Sequence, residues 1–146
     1  MSRSGYVDDL DNWDMIKWRG RVASATRGKR GQRLFLDLLA ALDAMPEKRL
    51  ITAELETTEG VCALGAVGKA REMDMSQIDP GEPEDVAAAF DIAACLAQEV
   101  VYMNDEYFGR DTPEQRWVKM RAWVEKQLTP SLSASQPLGN DDAGPT

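Results

Sequence analysis

The sequence predicts a mainly α fold: a compact domain of five or six helices over residues 1–128, one small β-hairpin near 50–62, and a disordered tail over 129–146. Three observations carry this. Apolar residues recur at three- and four-residue spacing through most of the chain, the mark of half-buried helices. Partial alternation is confined to Leu50-Ile51-Thr52-Ala53-Glu54-Leu55-Glu56, which runs into the turn composition Thr57-Thr58-Glu59-Gly60; a helical continuation competes with a strand there. The last stretch mixes three prolines with Ser, Gly, Asn and Asp and has no period.

Each helix has its own signal. Asp11 or Asn12 caps the first, placed at about 11–26, with Trp13, Ile16, Gly20 and Ala23 on one apolar line and Met15, Trp18 and Val22 on another. Gly28 and Gly31 interrupt the pattern. Leu34, Phe35, Leu38, Leu39 and Leu42 then give a second helix that Pro46 ends. Ala63, Ala66 and Ala70 with Leu64 and Val67 give a slim helix from Val61 to about Met73. Two helices follow, at about 83–90 and 92–105, with Asp91 at the break between them. Thr112-Pro113-Glu114-Gln115 opens the last one with a threonine cap, a proline at the first position and a glutamine placed for a capping box.

The 146 residues are enough for one core without disulfides or metal. The net charge is -8, unevenly spread: residues 1–33 hold eight Lys/Arg against four Asp/Glu, and the remainder carries a net -12. That acidity disfavours indiscriminate binding to DNA or acidic membranes. Two cysteines among small or apolar neighbours fit a reduced compartment, and no apolar leader or long apolar run is present, so the expectation is a cytoplasmic protein that spans no membrane.

No complete catalytic constellation is visible, because the chain has no histidine. Cys62, just past a glycine turn, is placed as many nucleophiles are, but it lacks a base and reads as a small buried residue beside Gly65 and Ala66. Two thiols without histidine do not fill a zinc site, and Asp8, Asp9, Asp11 and Asp14 miss the glycine and glutamate of a calcium loop. Helix capping explains these carboxylates better. Asn104 and Asp105, with Glu106, read as groups that bond nearby backbone at a helix end. The reading is therefore of a non-enzyme without cofactor or metal.

Candidate contact residues lie elsewhere. Arg19, Arg21, Arg27, Lys29, Arg30 and Arg33 span fifteen residues without an acid, which suits a protein partner or, alternatively, nucleic acid. Trp13 and Trp117 suit the core, whereas Trp18 and Trp123 fall off the apolar lines and suit a partner surface.

Several segments together resemble a set of small phage- and prophage-encoded proteins of unknown function: Ser2-Arg3-Ser4-Gly5-Tyr6 with Asp8, Asp9, Asp11 and Trp13, then Gly28-Lys29-Arg30-Gly31-Gln32, Pro46-Glu47-Lys48-Arg49-Leu50-Ile51, Cys62-Ala63-x-Gly65-Ala66-Val67, Asn104-Asp105-Glu106 and Thr112-Pro113-Glu114-Gln115-Arg116-Trp117. More loosely, Cys62-Ala63-Leu64-Gly65-Ala66, Phe90-x-Ile92 and Asn104-Asp105 are similar to small bacterial domains with a Cys-x-x-Gly-Ala…Asn-Asp signature, which commonly place glycine where this chain has Asp91. The resemblance implies an accessory protein that binds and modulates a host or phage protein complex, inhibition of a host defence system (an anti-CRISPR) being one form. The alternatives are a nucleic-acid-binding protein using residues 19–33 and a metal-assisted enzyme built on carboxylates such as Asp8, Asp11, Asp14 or Asp105. Oligomeric state is left open.

Overall fold

The computed structural model describes residues 3–6 and 11–130. Among these the order is α1 (Asn12–Arg27), α2 (Lys29–Ala44), β1 (Glu56–Thr57), β2 (Gly60–Val61), α3 (Ala63–Ala70), a 3-10 turn at Met75–Gln77, α4 (Pro83–Phe90), α5 (Ala94–Tyr102), a π-helical turn at Met103–Tyr107 and α6 (Pro113–Gln127). The mainly helical fold with one small hairpin is as the sequence predicts.

α2 is the central helix. Leu34, Phe35, Leu38 and Leu42 are completely buried, and the helix packs against α1, α3 and α6. α5 forms the second spine, against α1, α3 and α4. Gly31 does not break α2. It lies inside the first turn, where a Cβ would sit 2.0 Å from the Ala25 carbonyl oxygen, so the glycine lets the end of α1 fold tightly onto the start of α2.

Irregular, bent chain, neither helix nor strand, occupies residues 50–55, with Ala53 left-handed at φ 74°, because its backbone groups find partners far away: Leu50 N–H bonds Pro113 O, Ile51 N–H bonds Val61 O, and Cys62 N–H bonds Leu55 O. β1 and β2 pair antiparallel, Glu56 opposite Val61 and Thr57 opposite Gly60. α3 ends at Ala70, short of Met73, because Glu72 takes a left-handed conformation at φ 58°. Under α3, a Cβ on Gly65 would lie 1.9 Å from Leu55 O; the helix is slim so that the hairpin strap can pass beneath it.

Asp91 caps α4 in the left-handed region, φ 58° and ψ 53°, a conformation Asp tolerates better than most residues. α6 starts with the full capping box between Thr112 and Gln115. Arg116 is buried and donates to four main-chain carbonyls, those of Leu50, Phe108, Gly109 and Asp111, tying the π turn and its following loop to the strap. Of the expected tail, Thr129 and Pro130 are described, and the Thr129 N–H donates to the Gln32 side chain; the disorder expected further on falls on residues outside the described ones.

α1 inverts the sequence reading. Its apolar line Trp13, Ile16, Gly20 faces solvent, with Trp13 66% and Ile16 61% exposed; of the other line Trp18 is half-buried and Val22 buried, while Met15, nearer the helix start, is exposed. Both lines are equally periodic, and only the packing of α1 on α5 through its polar side decides between them. Gly20 differs from Gly31 and Gly65, since a Cβ there would meet nothing within 4 Å. The fold gives no return for the roughly 1 kcal/mol that a mid-helix glycine costs relative to alanine.

Candidate functional site

Three places in the structure collect the chemistry-bearing residues. The first is a polar centre at the N-terminus of α3. Cys62 caps that helix, buried, its sulfur 3.4 Å from the Gly65 N–H. Asn104, also buried, accepts from the Ala63 N–H at 3.1 Å and donates from Nδ2 to Ile51 O and to the Asp105 carboxylate. Asp105 accepts in addition from the Ala53 N–H, holding Ala53 at φ 74°. Asn104 and Asp105 therefore bond main chain forty to fifty residues away and not the nearby backbone expected of a helix end. The π turn causes this: its wider winding turns two consecutive side chains toward the hairpin strap.

Residues 3–6 complete the centre. Arg3 makes a two-point pair with Asp105, at 2.5 and 2.8 Å, with both side chains nearly buried. Burial works to lower the Arg3 pKa, but the Asp105 carboxylate and the Cys62 sulfur outweigh it and hold it above the ordinary value. Burial likewise works to raise the Asp105 pKa, and Arg3, Asn104 and the Ala53 N–H more than offset it, so the carboxyl titrates below its ordinary range. Ser4 donates its hydroxyl to Glu106, and the Ser4 carbonyl accepts from Gln98. The Tyr6 hydroxyl donates to Glu99 at 2.8 Å and accepts from the Trp18 indole at 3.0 Å. Burial and then Glu99 push the Tyr6 pKa up. Nothing in composition or spacing marks Arg3, Ser4 or Tyr6 as important, because their partners Asp105, Glu106 and Glu99 lie far along the chain.

Chemically the centre is a lock. The polar neighbours of Cys62 among the described residues, Arg3 and the Gly65 N–H, are donors, and none can take a proton from the thiol. Asp105 and Glu106 are occupied by Arg3 and Ser4.

The second place is the basic segment, which the structure divides. Arg19, its side chain half exposed, pairs with the nearly buried Glu99 at 2.5 Å, and that bond raises its pKa. Arg21 stacks on Trp18 with its guanidinium 5.4 Å from the ring centre. Arg30 pairs at the surface with Asp91. Arg27, Lys29 and Arg33, at the corner between α1 and α2, are exposed and form no ion pair among the described residues.

The tryptophans sort differently from expectation. Trp123 is half-buried at the rim of the core, edge-on to Phe35 at 5.5 Å. Trp117 packs on the core and donates to Leu42 O. Trp18 is half-buried under Arg21, bonded to Tyr6. Trp13 is the exposed one, with Lys17 above its ring.

The third place is acidic. From Glu72 to Gly109 there is no Lys or Arg, and Glu72, Asp74, Asp79, Glu82, Glu84 and Asp85 are all exposed. Of the aspartates considered for metal, Asp8 and Asp9 lie outside the described residues, Asp11 caps α1 and Asp14 sits 3.8 Å from Lys17. Among the described residues no three Cys, Asp or Glu side chains are grouped to hold a metal ion, and no single helix is long and apolar enough to cross a membrane. Comparison with protein-family models, with curated proteins and with solved structures finds no match to this chain.

Proposed function

We propose that this chain is a non-enzymatic accessory protein that binds and modulates a protein complex of a phage or of its bacterial host, one that itself handles nucleic acid. Inhibition of a host defence complex, as an anti-CRISPR does, is one concrete form. The observation that carries the reading is the electrical division of the surface: six exposed acids over 72–85 in a stretch without a cation, against a corner of Arg27, Lys29 and Arg33 without ion pairs among the described residues. Such a surface offers complementary charge to a protein that alternates basic nucleic-acid-binding patches with acidic ones. The arrangement around Cys62 supports it too, since the Asp105 and Glu106 carboxylates are taken up by Arg3 and Ser4, although Arg3 Nη1 stays buried without a hydrogen-bond partner.

The test is affinity capture from nuclease-treated bacterial lysate at about 50 and about 300 mM salt, where electrostatic contacts weaken steeply. A stoichiometric partner lost on Glu82→Lys/Glu84→Lys/Asp85→Lys supports the reading. No stoichiometric partner, or one indifferent to reversal of either charged face, overturns it.

Nucleic-acid binding is the second reading, favoured by the same unpaired Arg27, Lys29 and Arg33. It requires retention of an oligonucleotide on a filter at about 50 mM salt, with a steep salt slope and loss on Lys29→Glu/Arg33→Glu.

A further inference from the structure

We propose that the cleft between the C-terminal end of α2, the hairpin and α3 binds a small apolar molecule that carries one carboxylate, with Arg49 as its anchor. The first ground is the size and lining of the cleft. It holds about 430 Å³, a volume typical of small-ligand sites, over Ala41, Ala44, Ala66 and Ala70 with Val61 and Met45 beside them. Ala44 and Ala70 stay exposed within it, so apolar surface is left for an apolar body to cover.

The second ground is Arg49, which lines the same cleft half-buried. Its Nε is shut off from solvent without a hydrogen-bond partner, and its guanidinium makes no hydrogen bond or ion pair among the described residues. The other arginines withdrawn from solvent among those residues, Arg3, Arg71, Arg116 and Arg121, all bond carboxylates or main-chain carbonyls. A guanidinium drawn partly out of water without a partner loses hydration and gains nothing in return. A carboxylate supplies what is missing, and since Nε is enclosed it meets the outer Nη1 and Nη2 as a two-point pair. The main chain holds Arg49 in place. Its N–H donates to Glu47 O, and the adjoining Leu50 is completely buried, its N–H on Pro113 O and its carbonyl on Arg116.

The rest of the rim limits the ligand to one negative charge. Lys69 is already paired with Glu56 at 3.2 Å, while Glu47 and Glu59 are exposed and form no ion pair among the described residues, so they stand against a phosphate or a dicarboxylate. The main-chain carbonyls of Asp43 and Met45 at the end of α2, which would also repel an anion, are occupied by Lys48 Nζ at 2.6 and 2.7 Å. The cleft stands independently of the proposed function, whose charged residues lie at 72–85 and 27–33, and the purified chain alone suffices to test it.

The experiment is a heteronuclear NMR titration of the full chain with hydrocinnamate, a phenyl group on a short carboxylate. The Gly60, Ala66 and Ala70 amides shift saturably, with a Kd at or below about 1 mM. Hydrocinnamide, the same shape without the charge, binds at least tenfold more weakly. N-acetylphenylalanine presents that carboxylate as the end of a peptide does; binding tighter than hydrocinnamate assigns the cleft to peptide C-termini, and otherwise it belongs to free acids. Arg49→Met weakens hydrocinnamate binding at least tenfold. It removes an unpartnered buried nitrogen and keeps the apolar stem, so its thermal unfolding temperature equals or exceeds that of the parent. Ala70→Phe fills the cleft from an exposed position and abolishes binding in a folded chain. The proposal is overturned by an absence of saturable shifts up to about 10 mM, or by shifts centred outside the cleft. It is overturned equally by hydrocinnamide, or the amine phenylpropylamine that Glu47 and Glu59 would hold, binding as tightly as the acid. Undiminished binding by Arg49→Met, or its unfolding well below the parent, has the same effect.

Discussion

Arg3 and Asp105 hold one another through two hydrogen bonds across 102 residues of sequence, with side chains only 7% and 10% exposed. The pair joins the first described residues to the π turn that follows α5. Removing one partner from such a pair is costly, because the other charge stays buried without its counterion.

Asp105→Asn is therefore expected to lower the unfolding free energy by about 3 kcal/mol in urea titration, and Arg3→Met by less, since Asn104 and the Ala53 N–H remain on the carboxylate. The pH dependence has a definite sign. The folded-state pKa of Asp105 is depressed, so its contribution is present above the ordinary carboxylate value near 4 and is lost as pH falls through the lower folded value. Acid unfolding of Asp105→Asn compared with the parent below about pH 4 isolates this contribution.

Tyr6 works in the opposite direction. Its hydroxyl is held protonated between Glu99 and Trp18 with a raised pKa, so its stabilisation is complete below the ordinary tyrosine value near 10 and drains away as pH climbs beyond it. Tyr6→Phe is expected to cost about 1 kcal/mol at neutral pH and to flatten the loss above about pH 10, as read by denaturant midpoints across that window.

Gly65→Ala is expected to destabilise the fold by about 3 kcal/mol, since the Leu55 carbonyl beneath it is main chain and cannot swing aside. Gly68→Ala meets only the flexible end of Met75 and costs less. Cys62→Ser keeps a side chain that can accept from the Gly65 N–H and is expected to stay within about 1 kcal/mol of the parent in thermal unfolding.

Arg116→Met removes the donor from the Leu50, Gly109 and Asp111 carbonyls and leaves Phe108 O with the Asp111 N–H alone, and a loss of about 3 kcal/mol is expected in chemical denaturation. Lysine restores the charge but not the planar fork, so Arg116→Lys should recover less than half of it.

What the sequence made legible follows from how local each signal is. The capping box at Thr112, the cap at Asp11, the stop before Pro46 and the break at Asp91 are decided within a few residues, and the structure has each of them. The roles of Arg3, Asn104, Asp105 and Arg116 depend on partners fifty to a hundred residues away, and no spacing rule encodes these. α1 failed for a third reason. Periodicity fixes which residues share a face but not which face turns inward, and a half-exposed Arg19 holds α1 to α5 through its pair with the buried Glu99.

The docking of residues 3–6 has a kinetic consequence. A contact closing so long a stretch of chain incurs most of its loop entropy before it returns anything, so it belongs late in folding, after α2, α5 and α6 have assembled. Loss of that segment should then leave the refolding rate nearly unchanged and accelerate unfolding. The lifetime of the folded protein, more than its speed of formation, is then expected to rest on residues 3–6.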